Sequence, residues 1–399
     1  MLRRVVITGA GIISAIGAGK DGTCRSLLEK RSGIGPLHHL VTAHSDLPCG
    51  EVGYSDAELK DLLGLPSGRT FARSSLLGIF AVREALQQAG LEDPSSAALI
   101  SGTTVGGMDV TEGHYLEILQ GEDPEGLIRL HPCGHCTDDI ADYCGGFSAV
   151  TTTSTACSSA ANSLILGANL IKAGRFDVVV AGGTECLTRY HLNGFNSLMI
   201  LDREPCRPFD ASRSGLNLGE GAGFVVLESG EHASARGVDP LAALDGYGNA
   251  CDAFHQTASS PDGEGAYLAM SKALDMAGLM PSDIDYINAH GTGTVNNDAS
   301  ESQAMLRLFG GRVPPVSSTK SFTGHTTSAS GSIETVICLL AMEHGFIPAN
   351  LGWRTRDEGC VVPEASGRLK AVLQHVLCNS FGFGGNDSSL LISSMRDHE

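Results

Sequence analysis

Basic charge is scarce in this sequence. Its 27 Lys and Arg residues stand against 45 Asp and Glu, a formal net charge of −18. A surface of that sign excludes nucleic acid as a partner, because holding a phosphate backbone takes basic residues. Anionic membranes are disfavoured for the same reason. Long hydrophobic runs are missing too, and no stretch approaches the roughly 20 apolar residues of a membrane span. The opening MLRRVVITGAGIISAIGAG sets two arginines before apolar residues, but Thr8 and the glycines interrupt any signal core. It reads as a first buried strand and a loop, in a protein of the cytoplasm. A disulfide framework is also lacking: the twelve cysteines are scattered, as expected of reduced thiols in a large cytosolic chain. The densest group, HPCGHC, joins His131, Cys133, His135 and Cys136. A zinc site needs a second ligand pair, and only Cys144 is near, so no metal is expected. Nor does a G-x-G-x-x-G follow the first strand, where Gly9 and Gly11 stand without a suitably placed acidic residue. No dinucleotide is expected there.

What the chain does have is length and alternation. Its 399 residues suffice for two or more packed units, and 42% hydrophobic content with 51 glycines describes a compact, turn-rich chain. Apolar strands are expected at Val5 to Thr8, Ala97 to Ile100 and Phe176 to Ala181, with a helix from Arg69 to Ala89. Residues 120 to 140, with Pro124 and Pro132, read as an irregular excursion. Near Gly237 the pattern restarts. Strands at Ala242 to Leu244, Ile284 to Ala289 and Val376 to Asn379 alternate with helices at Glu264 to Ala277, Asp298 to Phe309 and Ile333 to Met342. Buried strands alternating with helices predict α/β layers, in two similar lobes at 1–238 and 239–399.

Four stretches carry chemistry. In VTTTSTACSSAANSLILGANLIKAG, a β-branched run from Val150 to Thr155 reads as a buried strand. It breaks at Cys157 into a helix that Gly174 stops. A cysteine in an apolar stretch is ordinarily a small buried hydrophobe. At a helix N-terminus, however, unpaired N–H groups favour the thiolate, and Ala156, Ser158, Ser159 and Ala160 leave room for an acyl group. In the second half, NAHGTGT brings His290 to a strand end, and SSTKSFTGHTTSASG sets Lys320 and His325 about a tight turn. NSFGFGGND lets a backbone approach a ligand closely.

Taken in order, with VVITGAG, RPFD and LGEGAG between them, these motifs resemble the β-ketoacyl-acyl-carrier-protein synthases across essentially the whole chain. The likeness is to the elongating type II group (synthase II) of the thiolase superfamily. The resemblance implies a thiolase-like α/β fold, two lobes forming a five-layer αβαβα sandwich, usually paired as a homodimer. It implies that Cys157 takes an acyl group from a carrier thioester. His290 and His325 would stabilise the enolate left when a malonyl thioester loses carbon dioxide. Lys320 would organise the site electrostatically rather than act as a base, since a free lysine is protonated at neutral pH. Asp298 and Glu334 would pair with it. Phe383 would be a gate, its N–H forming an oxyanion hole with that of Cys157. Thr292 and Thr294 would bind the phosphopantetheine arm, which arrives on the acyl carrier protein, so no cofactor of the protein's own is implied. Carrier proteins are acidic and so is this chain; docking would rest on a local patch, for which Arg69, Arg73, Arg207 and Arg213 are the candidates.

Some positions depart from the family's usual pattern. Ser328-Ala329-Ser330-Gly331 stands for Gly-Ala-Ala-Gly, Ser214-Gly215-Leu216 for Asp-Gly-Phe, and Asn386-Asp387 for Thr-Asn. In GGMDVTE, Asp109 and Thr111 put polar groups near where the family lines its acyl pocket. These features, with CGHC and IADYCG, are similar to ketosynthases of aryl-polyene or flexirubin-type pigments, the alternative to fatty-acid elongation; such an enzyme could work as a heterodimer with a chain-length-factor-like subunit. Two further rivals are a silent chain-length-factor-type partner, which would lack the nucleophile, and a thiolase, for which Cys378 near the last glycine loop would serve as base.

Overall fold

The computed structural model describes residues 3–123 and 126–395, so Pro124 lies outside the described residues. Ten strands build its main sheet: β1 (Val5–Ser14), β2 (Ala98–Gly102), β3 (Ala149–Thr153), β4 (Val178–Glu185), β5 (Gly221–Ser229), β6 (Ala242–Cys251), β7 (Tyr286–Asn288), β8 (Val316–Ser317), β9 (His375–Gly382) and β10 (Asn386–Ser394). A short strand, Gly17–Ala18, pairs with β1. The spatial order is β8-β7-β9-β10-β6-β1-β5-β4-β2-β3. The order is one pattern used twice. In the first half β1 lies antiparallel to β5, β5 antiparallel to β4, β4 parallel to β2 and β2 parallel to β3. In the second half β6, β10, β9, β7 and β8 repeat those relations in the same sequence. The halves join where β1 and β6 pair through Val6 with Ala243 and Ile7 with Ala242.

Six helices complete five layers: α1 (Arg73–Ala89), α2 (Cys133–Tyr143), α3 (Ser159–Lys172), α4 (Glu264–Ala277), α5 (Val295–Phe309) and α6 (Ser330–His344). α1 covers β1 and β5, with α2 packed beside it, and α4 covers β6 and β10, with α5 beside it. α3 and α6 lie between, touching each other and strands of both halves. Three apolar clusters correspond to this layering: a central one around α3 and α6 and one under each outer helix layer. The two lobes in five layers implied by the resemblance are therefore present. Among the described residues no helix is long and apolar enough to cross a membrane.

Local chemistry explains why β1 continues through glycines that read as a loop. A Cβ on Gly9 would lie 2.2 Å from the Ala85 carbonyl oxygen, and one on Gly11 2.0 Å from that of Ala81. Gly-Ala-Gly in the strand and alanines in α1 let helix and sheet backbones touch. The second half repeats the device. Cβ atoms on Gly246 and Gly248 of β6 would lie 2.1 Å and 2.0 Å from the carbonyl oxygens of Ala273 and Ala269 in α4. A G-x-G in the first strand of each half is thus the sequence trace of the internal repeat.

Two expectations are corrected. β3 is not buried: it pairs only with β2, at the end of the sheet, and Val150 is exposed. Its β-branched composition suits any pleated strand, central or edge, and could not tell the two apart. The excursion 120–140 contains most of α2, whose inward face (Cys136, Ile140, Ala141) packs under α1.

Substituting Gly11→Val or Gly248→Val should each cost about 3 kcal/mol, because a backbone carbonyl cannot yield to the new side chain. Thermal unfolding of the two variants checks this, and similar losses are expected in both halves.

Candidate active site

Cys157 is the first of the two residues between Ala156 and α3, and is 5% exposed. Ala156 holds φ at +52°, an uncommon conformation for a residue with a Cβ. Ser159 holds it there: its Oγ accepts from the Thr155 N–H at 2.8 Å and donates to the Ala156 carbonyl at 2.6 Å. Neighbouring backbones crowd the start of α3. A Cβ on Gly102 would lie 2.7 Å from the Ala160 nitrogen, and one on Gly331 2.8 Å from that of Ala161. The sulfur therefore projects from a rigid, strained turn.

Burial pushes the Cys157 thiol up to about 11, against the pull of the Lys320 charge and of the backbone N–H groups of Phe383 and Cys157 itself. This corrects the expectation of a resting thiolate. The N–H groups do bear on the sulfur, but desolvation outweighs them, and the resting group is a thiol.

The two histidines come from different elements. His290 follows β7, and its loop is held by Glu301 of α5, whose carboxylate accepts from the His290 N–H at 2.9 Å and the Gly291 N–H at 2.8 Å. His325 precedes α6; its N–H donates to the Asn217 carbonyl at 2.7 Å, and its Nδ1 lies 3.0 Å from Ser330 Oγ. The rings pack edge to face with centroids 5.2 Å apart. Burial first, then the Lys320 charge, holds both far below the ordinary histidine range, so both imidazoles are neutral. If the Ser330 hydroxyl donates to Nδ1 of His325, the Nε2 hydrogen is free for a ligand.

Lys320 Nζ lies 2.5 Å from Glu334 Oε1, both side chains fully buried. Asp298 does not join that pair. It lies 3.7 Å from Arg213 and accepts from the Phe209 and Gly293 N–H groups at 2.8 Å and 3.1 Å, tying the RPFD loop to the His290 loop. Glu301, one helical turn further along α5, escaped the sequence reading. Its signal was present, since Asp298 and Glu301 share one face of a helix.

Cys157 and the two histidines open on one cavity of about 340 Å³, lined also by Thr292, Thr294, Phe381 and Phe383 with apolar Phe195, Leu198, Ile200 and Leu216. The Phe383 ring stacks on Phe195 at 5.8 Å. Thr292 and Thr294 hydroxyls are 2.9 Å apart, and Thr294 also caps α5. Phe195 and Leu198 were likewise missed, for nothing in the sequence of the exposed helix Arg189–Ser197 announces a cavity wall.

Other expected residues lie elsewhere. Asp109 faces a separate cleft and accepts from the Arg73 N–H at 2.8 Å, and Thr111 bonds the Gly107 carbonyl at 3.3 Å and His131 at 3.0 Å. Neither lines the cavity of Cys157, so the polar-pocket argument falls. Arg73 and Arg213 are buried: Arg73 is paired with Glu220 and Asp56, Arg213 with Asp357 and Asp298. Neutralising inward carboxylates leaves neither for a docking surface. Arg69, paired with Asp139, and Arg207, paired with Asp202, keep part of their side chains in solvent. The HPCGHC side chains diverge, with Cys136 in the core and His135 3.8 Å from Asp139. Among the described residues no three His, Cys, Asp or Glu side chains converge as metal ligands. Cys378 is buried on β9 in the central apolar cluster and does not line the cavity, which removes the thiolase base.

A nucleophile turn facing two neutral imidazoles and a buried lysine defines a thiolase-fold condensing enzyme. Residues 2–233 match the model of the β-ketoacyl synthase N-terminal domain and residues 241–354 that of its C-terminal domain. The chain belongs to the β-ketoacyl synthase family. It is 37% identical to Nodulation protein E of Rhizobium meliloti (strain 1021) over 98% of this chain and 99% of that protein. It is 32% identical to the 3-oxoacyl-[acyl-carrier-protein] synthase 2 of Vibrio cholerae, with the same coverage of both chains. Among solved structures, the ishigamide ketosynthase/chain length factor matches with a TM-score of 0.90 at 33% identity, covering 99% of this chain and 100% of that one. A ketosynthase in complex with its chain length factor from Xenorhabdus doucetiae matches at 0.84 and 30%, covering 98% of each.

The thiol assignment is open to titration. The difference in absorbance at 240 nm between the protein and its Cys157→Ala variant should rise near pH 11, and alkylation of Cys157 should quicken steadily from pH 7 to 10. A plateau below pH 8 would contradict it.

Proposed function

We propose that the protein catalyses decarboxylative condensation of an acyl-enzyme thioester with malonyl-acyl carrier protein, in the elongation of fatty acids. What carries this reading is one observation: the Cys157 sulfur meets the N–H groups of Cys157 and Phe383 in the same cavity as two neutral histidines. Cys157 attacks the acyl thioester carbonyl while its proton passes to a neighbouring imidazole. The oxyanion rests on the two backbone N–H groups, and the carrier thiol leaves with the proton. A malonyl thioester then loses its carboxylate as carbon dioxide. The imidazole N–H groups of His290 and His325 hold the enolate oxygen, the carbanion attacks the acyl carbonyl, and Cys157 departs as a thiolate that takes up a proton from water. Burial, with the Lys320 charge behind it, keeps the imidazoles neutral, as donors rather than acids.

The reaction needs no cofactor of the enzyme's own. The phosphopantetheine arm enters on the carrier and meets Thr292 and Thr294 in the cavity wall; Arg69 and Arg207 offer the partly exposed charge for docking. All twelve cysteines are free, in keeping with a cytoplasmic enzyme. The lobes 1–238 and 239–399 act together, since the nucleophile comes from one and both histidines from the other. The open edge of β3 is the surface on which a second subunit adds, ordinarily another copy of the chain. A polyene pathway with a chain-length-factor partner is the second reading, favoured by the likeness to ketosynthase/chain length factor structures.

Incubation with acyl carriers of varied chain length should leave an acyl adduct on Cys157 by mass spectrometry. A Cys157→Gln variant should lose condensation by at least about a thousandfold, the scale on which removal of a nucleophile is felt. No adduct at any chain length would falsify the assignment. Saturated and polyenoyl carriers offered together decide the pathway: preference for saturated chains supports elongation, and exclusive use of conjugated chains supports the polyene reading.

A further inference from the structure

Two carboxyl groups outside the reactive set sit where the strip carrying Phe383 meets the mouth of the cavity. Asp387, 5% exposed, follows that glycine strip in β10. Asp252 follows β6 and heads the segment whose Thr257, Ala258 and Ser259 line the mouth. A Cβ on Gly265 would lie 2.1 Å from Asp387 Oδ2 and 2.9 Å from Asp252 Cβ, so both side chains converge on the first turn of α4. Backbone bonds stitch the two segments together: the Asp252 N–H donates to the Gly385 carbonyl at 2.8 Å and the Gly384 N–H to the Gln256 carbonyl at 2.8 Å. Within this knot Asp252 Oδ2 accepts from the Ser260 N–H at 2.7 Å, whereas Oδ1 is buried with no hydrogen-bond partner. An orphaned buried carboxylate oxygen beside a second carboxyl is costly unless a proton lies between them.

We propose that Asp252 and Asp387 share one proton and act as positioning residues, locking the Phe383 strip onto the cavity mouth so that the Phe383 N–H stays aimed at the Cys157 sulfur. The surroundings favour the shared proton. The charged groups that bear on Asp387 are Asp252 at the end of β6 and Glu301 of α5; α4, which packs on β10, also carries Glu264 and Lys272. Glu264 is engaged by Arg307, and Lys272 by the Asn249 carbonyl. Burial, followed by the charges of Asp252 and Glu301, pushes Asp387 up to about 8. A carboxyl raised in this way stabilises the closed form fully below the ordinary aspartate range. That contribution declines as pH rises from there through neutrality and is exhausted above about 8. The proton then passes to water and two like charges face each other across the knot. Gly384 and Gly385, at φ of +84° and +78°, let the strip swing away. The departure Asn386-Asp387 thereby gains a physical meaning, since an asparagine at 387 would carry no such charge.

This inference rests on the condensing reading only where turnover is assayed, because the strip can be followed in the enzyme alone. Amide hydrogen exchange of residues 382–386, corrected for the intrinsic effect of pH, should rise about tenfold between pH 7 and 9.5 in the wild type. It should stay flat in Asp387→Asn. Acylation of Cys157 should match between the two proteins at pH 7, with Asp387→Asn pulling ahead several-fold at pH 9.5. If Asp387→Asn does not fold, Asp252→Asn removes the same repulsion and should show the same flat profile. Wild-type exchange independent of pH over this range, or profiles that coincide in wild type and variant, would overturn the proposal.

Discussion

A Cβ on Gly331 would fall 2.8 Å from the backbone nitrogen of Ala161 and 2.9 Å from its Cβ, so α3 and α6 press together at their N-terminal ends with almost no side chain between them. Those two ends carry the chemistry. Cys157 precedes α3 and His325 precedes α6, and the close crossing brings groups 168 residues apart in sequence into one cavity. Both helices lie between the halves of the sheet, so their N-termini are dry as well as adjacent. That dryness sets the protonation states, because desolvation is the leading cause for the thiol and for both imidazoles.

The internal repeat divides the labour between the halves. Each contributes a first strand with G-x-G packed against an alanine-bearing helix, and each ends in an antiparallel pair. Only the first half carries a nucleophile, in the turn ahead of its central helix. In the second half the corresponding layer supplies Glu334 to neutralise Lys320, and the loops around it supply the histidines. The buried carboxylates Glu301 and Asp298 act on backbone rather than on substrate, fixing the loops from which His290 and Thr292 project.

Much of the architecture was legible locally. The helix ending at Gly278 spans the residues that periodicity and its glycine stop announced, and the alternation of strands and helices predicted layers and two lobes. What failed had a common cause. β3 and a central strand share one composition, and only the neighbours a strand lacks distinguish them. Arg73 and Arg213 read as surface charge because sequence does not disclose a carboxylate 147 or 144 residues away. Asp298 was matched to the wrong cation for the same reason, and Phe195 went unnoticed because the ring it stacks on, Phe383, is distant in the chain.

The sequence by itself determined the family, the order of the reactive motifs and the residue types available to them, because these are properties of short contiguous stretches. Only the tertiary structure decided the ionic state of the cysteine, the partner of each buried charge and which strand faces water. Desolvation and Coulomb energy depend on what surrounds a group in space, and in this fold the surroundings of every reactive group come from both halves of the chain.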